Sequence, residues 1–132
     1  MELLEKKLNT DFNAALEEFR LYMFSQKERE ALGFLKVWET LMKIVTPNRK
    51  ALFLGLELLQ SADFRQDLKL IDKPALLIAG EKDTIITKSA SEFMQQEIPG
   101  SELVIFKDSG HAPFLTQPER FNQILDGWIS KR

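Results

Sequence analysis

One carboxylate and one imidazole stand directly after two short apolar segments of the chain. Asp83 comes three residues after the segment 74–80, and His111, the single histidine, comes four residues after the segment 102–107. A carboxylate that accepts a hydrogen bond from one imidazole nitrogen sets the tautomer of the ring and stabilises its protonated form. Residues of these two types are therefore suited to be the acid and the base of nucleophilic catalysis.

The segments around this pair alternate between strand and helix patterns. Two strands and two helices are predicted, in the order 74–80, 89–98, 102–107 and 117–132. The strand segments are short, continuous apolar runs, which are typical of strands buried on both faces of a parallel sheet. Parallel neighbours end at the same edge of a sheet, so we expect Asp83 and His111 to meet there. Asp108 is a rival acid, but it lies on the histidine's own loop.

The first 70 residues carry apolar side chains at helical spacing and predict helices only. Four helices are expected: one from Phe12 to Met23 with Asn9 or Thr10 as its N-cap, one from Leu35 to Val45, one over 49–61, and a short one over 63–70 with Asp63 as its N-cap. The sequence therefore predicts an α/β segment preceded by an all-helical segment.

The composition excludes several classes of function. With 44% hydrophobic and 29% charged residues, the chain has the composition of a folded globular protein, and its net charge of −2 provides no basic field for nucleic acid. The absence of cysteine excludes disulfides, thiolate metal sites and a cysteine nucleophile. No apolar stretch has the length of a signal peptide or a membrane span. We expect a cytoplasmic protein with no metal, organic cofactor, nucleic acid or membrane as a partner.

Two stretches around the acid and the histidine resemble the C-terminal part of the α/β-hydrolase family. They are LLIAGEKDTIIT, with a G-x-x-D loop, and IPGSELVIFKDSGHAPFLTQPERFNQIL, with a G-H loop. The motif GHAPF, the P-E-x-F helix after it and the upstream GLELLQSADFRQDL are similar to the carboxylesterases of biotin synthesis, which act on pimeloyl-acyl-carrier-protein methyl esters. The resemblance implies that residues 1–62 are a helical lid and residues 63–132 a C-terminal core segment. It also implies that Asp83 and His111 are catalytic.

The serine nucleophile of that family has no counterpart in this sequence. None of the seven serines stands in a G-x-S-x-G pentapeptide, the strained turn that presents the nucleophile. The resemblance thus predicts a partial hydrolase that lacks the nucleophile-bearing N-terminal half and is inactive as this chain alone. Dehalogenases and epoxide hydrolases share the acid and histidine positions, so the missing half decides between them and an esterase. A non-catalytic, self-associating remnant or binding module is the alternative.

A half-fold of this kind is expected to have partners. The last two strands of a larger sheet leave a strand edge unpaired, and the apolar faces that the other half would cover become exposed. We therefore expect either a homo-oligomer, formed through the strand edge or the lid helices, or association with a separate N-terminal half. An ester is the expected substrate of the completed site.

Overall fold

The computed structural model describes residues 7–31, 36, 39–40, 43–44 and 48–132 and shows helices followed by a strand–helix–strand unit. The helices are α1 (Phe12–Met23), α2 (Gln26–Glu30), α3 (Arg49–Ser61), α4 (Lys88–Glu97), α5 (Pro113–Thr116) and α6 (Pro118–Ile129), and the strands are β1 (Leu76–Gly80) and β2 (Glu102–Phe106). In the part of the chain that is described, no helix is long and apolar enough to cross a membrane.

The two strands pair in parallel, as the sequence predicts. Leu76 lies opposite Glu102 at one end of the ladder, and Gly80 lies opposite Phe106 at the other. Helix α4 connects the strands and packs against both of them. Burial is less complete than predicted, because only Ala79 and Gly80 of β1 are buried. The sheet has two strands in the described residues, so one edge of each strand stays open.

Helix α1 has a different N-cap from the two that the sequence suggests. The cap is Asp11, whose side chain accepts a hydrogen bond from the Ala14 N–H at 3.0 Å. The prediction that Asn9 or Thr10 caps this helix is wrong, because residues 7–10 are themselves helical and the chain turns only at Asp11. The apolar spacing located the helix correctly, but several neighbouring polar residues could have started it.

The predicted helix over 63–70 is wrong. The Asp63 carboxylate accepts a hydrogen bond from the Arg65 N–H at 3.1 Å and also binds the Arg65 guanidinium, so it forms a local turn instead of a helix cap. Only a single 3₁₀ turn, Leu68–Leu70, follows. The predicted second helix, Leu35 to Val45, lies mostly outside the described residues.

The remaining predicted helices are confirmed. Helix α3 spans 49–61 as expected, helix α4 agrees with 89–98 to within one residue at each end, and α6 begins with Pro118 at its first position. Helices α1 and α3 face each other across an apolar cavity of about 200 Å³. The Arg49 guanidinium also lies over the Phe12 ring, 4.8 Å from its centroid.

The junction between α1 and α2 packs against the loop that follows β2. Phe24 and Ala112 are both buried and form one apolar cluster, and Met23 and Leu115 pack against it. This cluster joins the helical first segment to the chain around His111. The two parts of the molecule therefore form one packed unit at the site.

Candidate active site

The acid of the predicted pair is held by its own loop. Asp83 follows β1, and its Oδ1 accepts hydrogen bonds from the backbone N–H groups of Ile85 at 2.8 Å and Ile86 at 3.0 Å. Such bonds to the next residues are the usual way in which aspartate stabilises a turn. The side chain is only 5% exposed, and its Oδ2 is left for another partner.

That partner is the imidazole of His111. Its Nδ1 lies 2.8 Å from Oδ2 of Asp83. A carboxylate accepts at this contact, so Nδ1 is the donor, and in the neutral imidazole the lone pair is then on Nε2. The imidazole side chain is 35% exposed, and Nε2 has no hydrogen-bond partner among the residues that the structure describes. The geometry allows Nε2 to accept a proton from a group that approaches from solvent.

Direct backbone contacts join the acid loop to the histidine loop. The Lys82 N–H donates to the Ser109 carbonyl oxygen at 2.8 Å, and the Glu81 N–H donates to the Phe106 carbonyl oxygen at 2.9 Å. A Cβ atom at Gly80 would lie 1.9 Å from the carbonyl oxygen of Gly110, so no larger residue fits there. This close approach brings the two strand ends together and sets the distance between the acid and the base.

None of the seven serines, all of which lie in the described ranges, forms a hydrogen bond with the imidazole. Ser109 is the nearest in sequence, but it is fully buried and its hydroxyl donates to Glu28 at 2.6 Å. The Ser25 hydroxyl donates to the carbonyl oxygen of Asp108 at 2.7 Å. Among the described residues, the Asp83–His111 pair therefore has no serine hydroxyl bound to it.

The rival acid, Asp108, has a different partner. Its carboxylate lies 2.7 Å from the Lys27 ammonium, and this hydrogen bond holds the pKa of Asp108 below its ordinary value. Its backbone adopts a φ of 60°, which aspartate tolerates better than most residues. Asp83, not Asp108, is therefore the acid that binds His111.

A second carboxylate, Glu28, was not predicted from the sequence. Its Oε2 accepts hydrogen bonds from the N–H groups of Ser25 and Gly110, both at 2.7 Å. Its Oε1 accepts from the hydroxyls of Ser109 at 2.6 Å and Thr116 at 2.5 Å. Burial is the largest single influence and raises the pKa of Glu28, but the hydrogen bonds together outweigh it and hold the pKa below its ordinary value of 4.5.

A sequence signal for Glu28 does exist. Ser25 and Glu28 have the S-x-x-E spacing of a capping box, and both reciprocal hydrogen bonds of that motif are present at the start of α2. The motif could have located the helix start. It could not have shown that the same carboxylate also reaches Gly110, 82 residues later in the chain.

A cleft of about 650 Å³ lies between the α1–α2 junction and the acid loop. Tyr22, Phe24, Lys82 and Asp83 are among the residues that line it, whereas His111 is not. The cleft therefore adjoins Asp83, the residue that binds His111.

Curated relatives match almost all of this chain. A pimeloyl-[acyl-carrier protein] methyl ester esterase from Nitrosomonas europaea is 33% identical over 126 residues, which are 96% of this chain and 50% of that protein. The protein of the same name from Stenotrophomonas maltophilia is 33% identical over 131 residues, 98% of this chain and 50% of its own length. The chain thus spans about half the length of the curated relatives it matches, as expected for a partial hydrolase.

Solved structures and a family comparison agree on the fold. An esterase from Exiguobacterium antarcticum superposes with a TM-score of 0.82 at 25% identity and covers 98% of this chain and 47% of its own. A bromoperoxidase from Bacillus anthracis has a TM-score of 0.83 at 23% identity, covering 98% of this chain and 48% of its own, and shows likeness of fold alone. Residues 4–118 match the family described as alpha/beta hydrolase fold. The chain belongs to the α/β-hydrolase family.

Proposed function

We propose that this chain supplies the acid and the general base of a carboxylic ester hydrolase of the Ser–His–Asp type. The observation that supports this most directly is the 2.8 Å contact between Oδ2 of Asp83 and Nδ1 of His111. The contact leaves Nε2 as the proton acceptor that such a reaction needs. The family membership and the esterase names of the relatives agree with this assignment.

The proposed reaction has two halves in which His111 exchanges one proton. A serine hydroxyl near Nε2 attacks the ester carbonyl while Nε2 takes its proton, and the imidazolium then gives that proton to the departing alkoxide. Water next attacks the acyl-serine by the same route, which releases the carboxylic acid and returns the proton to the serine. Asp83 stays ionised throughout and stabilises the imidazolium through Nδ1–H.

The helical segment, residues 1–62, is proposed to be the lid over this site. The contacts of Met23 and Glu28 with the histidine loop support the proposal. The apolar cavity between α1 and α3 suits an aliphatic group better than a charged one. The relatives are named as methyl ester esterases, so we propose methyl esters of acyl groups as the substrate class. The absence of cysteine agrees with a reducing compartment, and we propose the cytoplasm.

The nucleophile is proposed to come from a segment that pairs with the open edge of the sheet. The two described strands have unpaired edges, and several large apolar side chains lie nearby in the sequence with exposed fractions between 62% and 70%: Leu58, Leu59, Phe64 and Leu70. Open strand edges and exposed apolar side chains both favour association. A segment with a G-x-S-x-G turn would cover them and complete the triad. A second copy of this chain is the competing partner.

Co-expression with a nucleophile-bearing segment tests the proposal. The segment is the half of the Nitrosomonas europaea esterase that this chain does not match, and the assay is hydrolysis of a short-chain p-nitrophenyl ester. We expect the two segments to copurify and to turn over the ester, with a loss of at least about a thousandfold in the His111→Ala variant. Without the nucleophile-bearing segment, the chain should hydrolyse the ester no faster than the copurified pair that carries His111→Ala.

Each other outcome has a defined meaning. Hydrolysis by the chain alone that is lost in His111→Ala would show that one of its own serines, or a serine of a second copy, completes the triad. A copurified pair that is no faster than its His111→Ala form would overturn the esterase assignment and leave a binding module. If the segments do not copurify and the chain elutes as a dimer, the proposed partner is wrong.

A further inference from the structure

The loop that carries His111 makes its main contacts with a segment far away in the sequence. The His111 N–H donates to the carbonyl oxygen of Met23 at 2.7 Å, and the neighbouring Gly110 N–H donates to Glu28. A Cβ atom at Gly110 would lie 2.7 Å from the Met23 carbonyl oxygen and 2.8 Å from the Cα atom of Phe24. The loop is thus pressed against the α1–α2 junction, backbone on backbone.

Glu28 is the side chain that binds this loop on both sides of the imidazole. Of its four hydrogen bonds, two come from Ser109 and Gly110, which precede His111, and one comes from Thr116, which follows it. All the donors are uncharged N–H or hydroxyl groups, and hydrogen bonds to an ionised acceptor are stronger than those between neutral groups. Three of the four hydrogen bonds therefore hold residues on either side of the imidazole, and each carboxylate oxygen takes part.

Helix capping accounts for only one of these hydrogen bonds. The bond from the Ser25 N–H completes the capping box of α2, a helix of five residues. A glutamate needed for capping alone would point its second oxygen to solvent, as exposed carboxylates do. In this structure Oε1 of Glu28 instead accepts a hydrogen bond from the hydroxyl of Ser109, a residue that is 0% exposed.

We propose that Glu28 is a positioning residue that fixes the orientation of His111 toward Asp83. This inference rests on the proposed function, because the orientation matters for catalysis only if His111 is the base. Glu28 does not touch the imidazole. It acts through the backbone of the histidine loop, whose position sets where Nδ1 meets the carboxylate.

The single histidine makes a direct test possible. With ¹⁵N-labelled histidine the only imidazole signals belong to His111, so the Nδ1–H proton and its exchange with solvent can be followed in the intact chain without any activity assay. In Glu28→Gln we expect this proton to exchange at least about tenfold faster or to broaden beyond detection. The amide NH2 group cannot accept the bonds of the oxygen it replaces, and the loss of even one charge-assisted hydrogen bond makes opening of the loop about ten times more frequent. Asp83→Ala, which removes the carboxylate, shows how the spectrum looks without the contact.

The matched control is Glu30→Gln. Glu30 lies on the same helix and is exposed, and its side chain accepts from Gln26 instead of the histidine loop. We expect this variant to keep the exchange rate of the wild type. Equal exchange rates in Glu28→Gln and Glu30→Gln would overturn the proposal.

A second variant covers the case in which Glu28→Gln fails to fold. Ser109→Ala removes one of the four hydrogen bonds and little volume, and we expect faster Nδ1–H exchange with amide signals of α6 unchanged. No change in that exchange rate would contradict the proposal. In the completed esterase, Glu28→Gln should lower kcat and leave KM nearly unchanged. Because the spectroscopic test needs no turnover, a failed esterase assay and a failed positioning role are distinguishable.

Discussion

The acid loop and the histidine loop are held in place by different means. Asp83 is fixed by N–H groups of Ile85 and Ile86 within its own turn. His111 is fixed by Met23 and, through its neighbours, by Glu28, which lies 82 residues before Gly110. The Asp83 carboxylate is therefore held in part by its own turn, whereas the His111 loop depends on the helical first segment.

This difference predicts that the position of His111 depends more strongly on the helical first segment than the position of Asp83 does. The two hydrogen bonds that Asp83 accepts within its own turn do not depend on distant contacts, although Glu81 and Lys82 also join the acid loop to the histidine loop. A loop that depends on a remote carboxylate moves when the remote segment moves.

The largest expected effect comes from adding a Cβ atom between the histidine loop and the remote segment. Gly110→Ala would place that atom 2.7 Å from backbone atoms of Met23 and Ser25, neither of which can rotate away. We expect a loss of about 3 kcal/mol in the free energy of unfolding, measured by urea denaturation.

Gly127→Ala is the control for this substitution. Gly127 lies in α6, and a Cβ atom added there would have no other atom within 4 Å, so alanine should stabilise the chain by roughly 0.5–1 kcal/mol. If both variants behave alike, the close contact at Gly110 does not exist in solution.

An intermediate effect is expected from acidification. The pKa of Glu28 is lower in the folded chain than its ordinary value of 4.5, so its stabilisation is complete above pH 4.5 and is lost as the pH falls through the folded value. The free energy of unfolding of the wild type should therefore fall more steeply below pH 4.5 than that of Glu28→Gln. Urea denaturation at a series of pH values measures both slopes, and parallel curves would show that Glu28 is not held as an ion.

The smallest effect is expected at the ion pair between Lys27 and Asp108. It also joins the remote segment to the histidine loop, but the side chains are 75% and 36% exposed. Exposed ion pairs contribute little to the stability of a fold because water and salt screen the charges. Lys27→Met should therefore change the free energy of unfolding by less than about 1 kcal/mol. A loss as large as that of Gly110→Ala would show that charge, and not close packing, holds the loop.

The apolar pattern of the sequence predicted most elements of the fold. The errors lie where polar side chains form local hydrogen bonds that the apolar pattern does not show. The strands follow from short continuous apolar runs and the helices α1, α3, α4 and α6 from helical patterns, both of which depend only on neighbouring residues. The helix expected over 63–70 failed because the Asp63 carboxylate bonds the nearby Arg65 and forms a turn. The short helix α2 was missed because its five residues carry a capping box but no apolar stripe.

The sequence by itself determined that one carboxylate and one imidazole stand after two neighbouring parallel strands, because strand pattern and loop position are local properties. Only the tertiary structure showed the contact between Asp83 and the imidazole and placed the rival Asp108 on Lys27 of the helical segment. It also decided that Glu28 supports the histidine loop. Contacts between residues about 80 positions apart depend on how whole elements pack, and no local pattern encodes that packing.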